Sequence, residues 1–241
     1  MSLHVLKEIR SAVANLNPHE VQAAADRPLT LGLVASSNAA FQFMEEFLLP
    51  AEKISERKRA ESSALLHRST SPELPEHFDV VIYEEGLPRP ENAFTLYPDD
   101  PRRTVHEILD QRDELGLALA RNFPPFRQPV VDRIIHSVSR DNALFAVVTA
   151  LPDVIPSLLE LPWSFGEFAS DTAFITMNQI RMTFLIAAAS DKPVGYSLQK
   201  GEIATLVTGA FGWRALAREL VGKIPFGGGL IPKGAIAFAG T

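Results

Sequence analysis

Apolar positions in the first half of the chain alternate between helical and strand spacing, and each change predicts an element. Leu3, Leu6, Ile9, Val13 and Leu16 fall on one helical face, which predicts a helix from about Ser2 to Leu16. Asn17, Pro18 and Glu20 follow as a start signal: a cap, a proline at the first helical position and an acid three residues after the cap. This second, short helix ends before Arg27 and Pro28. Residues 29–35 form a compact β-type run; Ser36, Ser37 and Asn38 make a small polar turn, and an amphipathic segment from Ala39 to Leu49 runs to a stop at Pro50. Residues 51–77 are polar and predict a surface helix or a mobile loop, with the charge run at 56–59 as a solvated face. Residues 77–83 are the clearest strand, because Val80, Val81 and Ile82 are continuously apolar, as in a buried parallel strand. Ala93–Tyr97 predicts a further short strand.

Beyond that point the pattern is helical. Asp99, Asp100 and Pro101 open a helix whose apolar face is Val105, Ile108, Leu109, Leu115 and Leu119. A turn over 122–126 leads to another helix, about Pro129–Ala150. Its buried stripe is Val131, Ile134, Ile135 and Val138, and its wet face is Asp132, Arg133, His136 and Arg140. After Asp141 the wet face disappears. A proline-punctuated piece with Asp153 and Glu160 precedes the stretch Asp171–Ser190, which carries one charge, Arg181, between its bounding residues. Residues 191–197 read as a turn, and Glu202–Gly222 as a helix interrupted by Gly209 and Gly212. The chain stops at Thr241 without a polar tail, the pattern of a truncated sequence or of a segment that packs against something.

The stretch Asp171–Ser190 poses a choice between membrane and core. A spanning helix needs about 20 apolar residues to cross roughly 30 Å of hydrocarbon. Thr172–Ala189 supplies 18, with Asn178, Gln179 and Arg181 near the centre, and an unpaired central Arg costs several kcal/mol in lipid. Segment 142–162 is broken by prolines at 152, 156 and 162. The residues favour a helical core over a true span, with Arg181 as a buried charge paired to Asp141, Asp153 or Asp171. A hairpin touching a bilayer or a partner lies between these extremes.

Composition narrows the classes. A chain of 241 residues, 46% hydrophobic and 22% charged, is globular and makes one large domain or two small ones. A net charge of −6 argues against nucleic acid as a partner. Charge is uneven: residues 1–140 hold 16 Lys/Arg and 21 Asp/Glu, whereas residues 141–241 hold 7 and 8. The front is therefore expected to be water-facing and the back mostly buried. Cysteine is absent, which removes disulfides, thiol nucleophiles and Cys-based metal sites and fits a reducing compartment. Lys7, Glu8 and Arg10 stand where a signal peptide needs its apolar core, so the expected location is cytoplasmic, with association at the inner face of the membrane as the further possibility.

Strand, small-residue turn and helix over 29–49 is the order in which a phosphate-binding loop is built. The G-x-x-x-x-G-K-[ST] pattern started at Gly32 puts Ser37, Asn38 and Ala39 where Gly, Lys and Ser/Thr belong, so three of its four specified positions fail. A helix N-terminus still attracts anions through its free N–H groups, which leaves Ser36, Ser37 and Asn38 as weak anion-site candidates. An ordinary strand–turn–helix packing unit is the favoured alternative. Asp79 lies at the start of its strand and Glu84 and Glu85 at the end, where they read as a turn rather than a metal site. There is no G-x-S-x-G and no H-E-x-x-H, and His4, His19, His67, His77, His106 and His136 lack ligand spacing. Trp163 and Trp213 read as core or interface anchors. No catalytic residue, metal or cofactor is expected.

The segments FPPFRQPVVDRIIHSVSRDNALFAVVTALP (123–152), TAFITMNQIRMTFLIAAAS (172–190) and GAFGWRALARELVGKIPFGGGLIPKGAIAFAGT (209–241) resemble the bacterial YcjF-like family, a domain family of unknown function. The likeness covers roughly residues 120–241. It implies a helical, often membrane-annotated module of the kind that follows Era-like or dynamin-like GTPase domains. NPHEVQ, TLGLVA and FDVVIY in the front part resemble the beginning of such a GTPase-like domain, but the Gly-Lys-Ser/Thr and N-K-x-D motifs are missing. The expectation is an α/β N-terminal domain over 1–100, a degenerate P-loop or Rossmann-like relic with a small, mainly parallel sheet of three to four strands. An all-α domain over 101–241 follows. The function expected is non-enzymatic, with the helical module contacting a membrane surface or a protein partner and a homo-oligomer as a further possibility. The alternative is a pseudo-GTPase that binds a nucleotide or anion without hydrolysing it.

Overall fold

The computed structural model describes residues 11, 13, 14, 16–71, 78–149 and 171–206. The expected helix over 2–16 falls mostly outside them, as do Asp153, both tryptophans and the glycine-rich end. Helix α1 (Pro18–Ala25) starts where the sequence signal places it. The Asn17 side chain accepts from the His19 N–H at 3.1 Å and donates to Glu20 at 3.0 Å, a variant of the reciprocal capping box.

Four strands, β1 (Leu31–Val34), β2 (Leu66–Ser69), β3 (Val80–Glu84) and β4 (Phe94–Leu96), form one sheet in the order β2-β1-β3-β4. All neighbours are parallel, with Leu33 opposite both Arg68 and Ile82, and Ile82 opposite Phe94. β1 is buried at every position, which is why its apolar run is continuous rather than alternating. β2 is the strand that the sequence pattern misses. Its four residues, LHRS, sit at an edge with His67 and Arg68 exposed, and an edge strand needs no apolar face.

Between β1 and β2 lie α2 (Asn38–Leu48), a 3-10 turn (Ala51–Lys53) and α3 (Glu56–Ser63). α2 turns Phe41, Met44 and Leu48 into the core. Its cap is Ser37, whose Oγ accepts from the Ala40 N–H at 3.2 Å. The link from β3 to β4 is only residues 85–93 and carries no helix, short for a parallel crossover. It turns at Gly86, whose φ of +88° suits glycine.

The sheet unit continues past residue 100, where the sequence places a boundary. Contacts group Gln22–Asp132 with Ala187–Lys192 in one compact unit. Helix α4 (Pro101–Gln111) packs on β4: the Thr104 hydroxyl donates to the Thr95 carbonyl at 2.8 Å and accepts from the Tyr97 N–H at 3.3 Å. Val105, Ile108, Leu109, Leu115 and Leu119 are all buried, as expected, but not on one helix. The chain breaks at Arg112, makes a 3-10 turn (Asp113–Leu115) and resumes as α5 (Gly116–Asn122).

The second unit takes the chain up to Val21, α6 (Pro124–Thr149) from Arg133, α7 (Asp171–Ala189) to Ile186, and the segment from Pro193. α6 begins at Pro124 rather than Pro129; Pro129 lies inside the helix, and Ile135, expected in the buried stripe, is 40% exposed. Between α6 and α7, Phe145 stacks on Phe174 with ring centroids 4.0 Å apart. The Asn178 amide donates to Asn142 Oδ1 at 2.8 Å, with both residues buried. Phe184 meets Tyr196 edge-on, and the Tyr196 hydroxyl lies 2.5 Å from the Val13 carbonyl oxygen and 2.9 Å from that of Leu16. Residues 200–206 are helical.

α7 is buried nearly all round, from Ala173 and Phe174 through Ile180 and Phe184 to Ala189. Arg181, expected as a buried charge, is instead exposed. Met177 and Leu185, one turn away on either side, are themselves partly exposed, so this strip of the helix lets a long side chain carry its guanidinium to water. Asp141 does not answer Arg181: it lies 3.9 Å from Arg140, both side chains more than a third exposed, a pair worth little. Among the described residues no helix is long and apolar enough to cross a membrane.

Candidate functional site

From β1 the chain leaves toward β2 on one side and returns to β3 on the other. The connections after β1 and β3 therefore diverge, and such a switch point at the carboxyl ends of parallel strands is where open α/β sheets bind ligands. Ser36, Ser37, Asn38, Glu84 and Glu85 all belong to this edge.

The register explains what happens there. Val34 pairs with Tyr83, so the residues that follow, Ala35 and Glu84, are neighbours, and the Glu84 side chain reaches the turn after β1. One carboxylate oxygen of Glu84 accepts from the Ser36 N–H at 2.6 Å and from the Ser36 hydroxyl at 2.7 Å. The backbone N–H of Ser36, with its hydroxyl second, holds the Glu84 carboxyl below the usual carboxylate range. Ser37 is occupied as the cap of α2, and Asn38 is its exposed first residue. The three anion candidates thus come together, but the chain's own carboxylate already takes the Ser36 donors. A phosphate entering here would have to displace Glu84 against like charge.

Beside this latch lies a groove of about 330 Å³. Phe43, Met44, Leu96 and Pro98 give it an apolar surface, Glu84 and Glu85 give it charge, and no Arg, Lys or His lines it. Phe43 is 46% exposed on the outer side of α2. Asp79 is elsewhere, at the amino end of β3. There it accepts from the Thr30 N–H at 2.9 Å and the Thr30 hydroxyl at 3.2 Å, with Arg27 3.8 Å away. That arrangement ties β3 to the segment entering β1. Among the described residues no three His, Asp or Glu side chains gather as metal ligands, and His19, His67, His106 and His136 sit on separate elements.

A second polar cluster was not foreseen from the sequence. Lys58 lies 3.3 Å from Asp191 and donates to Asn122 at 3.1 Å. Arg121 lies 2.8 Å from Asp26 and 3.8 Å from Asp191, and donates to the Lys192 carbonyl at 3.2 Å. These bonds hold residues 187–192 within the sheet unit. The sequence signal is faint, one Asp just past a helix end, and it acquires meaning only from the partners the fold supplies. Compared with known proteins, the chain matches no family model, no curated protein and no solved structure.

Proposed function

We propose that the chain is a non-enzymatic bacterial protein in which a degenerate nucleotide-domain relic is joined to an all-α, YcjF-like C-terminal domain. In this reading the helical domain contacts a membrane surface or a protein partner from the cytoplasmic side, and nucleic acid plays no part. One observation carries the loss of phosphate chemistry: Glu84 occupies both the N–H and the hydroxyl of Ser36 at the switch point. A functional phosphate loop keeps such donors free for its ligand and adds a lysine, whereas here position 38 is asparagine.

Thermal-shift titration with GTP, GDP and ATP, each with magnesium, tests this half. A ligand at 100 times its Kd adds about 2.7 kcal/mol, several degrees in Tm for a chain of this size, and the expected shift is none. A shift with any nucleotide would replace this reading with the pseudo-GTPase one, whose support is the position of the groove at a sheet switch point. Liposome flotation and sedimentation velocity test the other half. Flotation supports membrane contact, and a concentration-dependent dimer supports a homo-oligomer. A chain that neither floats nor associates with itself or with membrane extracts would remove the contact role.

A further inference from the structure

We propose that the groove at the carboxyl ends of β3 and β4 seats a basic, apolar-flanked segment of a protein partner. One apolar side chain rests on Phe43, Met44, Leu96 and Pro98, and a neighbouring lysine or arginine meets Glu84 and Glu85. The site lies wholly within the sheet unit.

Size, surface and charge select this occupant. At about 330 Å³ the groove is at the bottom of the small-molecule range of roughly 300–1,000 Å³, room for one or two side chains rather than a nucleotide. Its apolar part includes a large aromatic ring that is almost half exposed, a surface that gains by being covered. Its lining carries two carboxylates and no cation, and Asp99 and Asp100, both exposed, follow directly after Pro98. The helix that follows Asp100, α4, carries Arg102 and Arg103 outside the lining, and the Arg103 guanidinium is bonded to Glu107 at 2.8 Å and lies over the Tyr97 ring at 4.1 Å. Complementary potential therefore calls for a cationic partner. An anionic lipid surface and free phosphate carry the wrong sign.

Fluorescence anisotropy of the full chain tests the proposal, with a labelled, end-blocked hexapeptide of alternating leucine and lysine as the probe. Two control peptides replace lysine by glutamate or leucine by serine. The expected result is binding of the leucine–lysine peptide in preference to both controls. Phe43→Ala should raise its Kd at least about fivefold. Glu85→Gln should raise it roughly two- to fivefold, with a flatter salt dependence. Both substituted residues are exposed, and circular dichroism with an unchanged Tm checks that the variants are folded. Absence of binding up to about 1 mM, equal binding of either control, or indifference to both substitutions would overturn the proposal. So would a self-association that Phe43→Ala abolishes while the peptides stay unbound, because the groove would then be a contact between copies.

Discussion

Asp191 offers the sharpest test of how the sheet unit is held together, because two opposed effects meet at one residue. α7 ends in a Schellman arrangement: the Lys192 N–H bonds to the Ala187 carbonyl at 2.9 Å and the Asp191 N–H to the Ala188 carbonyl at 3.2 Å. Asp191 takes the left-handed position of this motif, at φ +59°, where glycine is usual. A side chain there costs roughly 1–2 kcal/mol, near the low end for Asp or Asn. Against that, its carboxylate meets Lys58 and Arg121, whose side chains are 14% and 16% exposed. The Arg121 contact, at 3.8 Å, is an ion pair only, while Lys58, at 3.3 Å, is at the edge of hydrogen-bond range, where a bond to a charged group contributes about 1.5–3 kcal/mol. The low end applies here, because Lys58 keeps Asn122 and Arg121 keeps Asp26 when Asp191 is removed. Asp191→Gly then loses about 1.5 kcal/mol of pairing and regains about 1 kcal/mol of strain, a net loss of roughly 0.5 kcal/mol. Asp191→Asn keeps tolerance of the backbone and loses the charge, a loss of about 1 kcal/mol. Asp191→Ala loses the pairing and, without a polar side chain to ease the left-handed backbone, adds up to about 1 kcal/mol of strain, a loss of about 1.5–2.5 kcal/mol. Urea titration followed by circular dichroism, with m-values checked for constancy, reads the order wild type, Gly, Asn, Ala. High salt should narrow the gap between wild type and Gly. A glycine variant as stable as wild type or more so would show that strain outweighs the ion pairs and would refute the argument.

Further results follow from other contacts in the fold. Glu84 is more acidic folded than unfolded, so its contribution is fully present above the ordinary carboxylate pKa and is lost as pH falls through the lowered folded value. Glu84→Gln should therefore be less stable than wild type near about pH 7, with the gap narrowing as the pH falls below the ordinary carboxylate range, and a gap that stays constant in urea titrations would count against the latch. Asn178→Ala leaves the buried Asn142 without that 2.8 Å bond and should cost about 1–3 kcal/mol. The double replacement of Asn142 and Asn178 by leucine should recover most of the loss, and a thermodynamic cycle showing simple additivity would deny the coupling. Gly86→Ala should destabilise by about 1–2 kcal/mol through its positive φ alone, since a Cβ there meets nothing within 4 Å. Gly116→Ala, at the start of α5 with ordinary contacts of 3.7 Å to Leu109 and Val130, should stabilise by about 0.4–1 kcal/mol. Calorimetric midpoints moving in the same direction for the two glycines would contradict the backbone argument.

Local pattern was legible wherever a segment's own burial decided its state. β1 is buried throughout and β3 mostly, and both read as apolar runs; α1 begins at the cap its sequence advertises, and α2 begins one residue before the expected Ala39. β2 was not legible, because an edge strand is stabilised by its pairing with Leu31–Val34 and not by its own side chains. The break at Arg112 was legible in retrospect: Leu109 and Leu115 are six residues apart, which on one straight helix would point them about 120° from each other. Both are buried because the chain turns between them.

The site demanded more than pattern. Ser36 and Glu84 are 48 residues apart and carry no joint motif. Once the strand order is β2-β1-β3-β4, the turn after β1 and the last residue of β3 become neighbours, and any acid ending β3 can reach the donors that a phosphate would use. Arg181 illustrates the converse. Whether α7 is read as a membrane span or as a core helix, the inference of a buried, paired charge assumed that every side of so apolar a stretch is enclosed. A single strip open to water removes the need for a partner. A lone charge in an apolar helix is thus evidence about the width of its solvent-facing stripe before it is evidence about function.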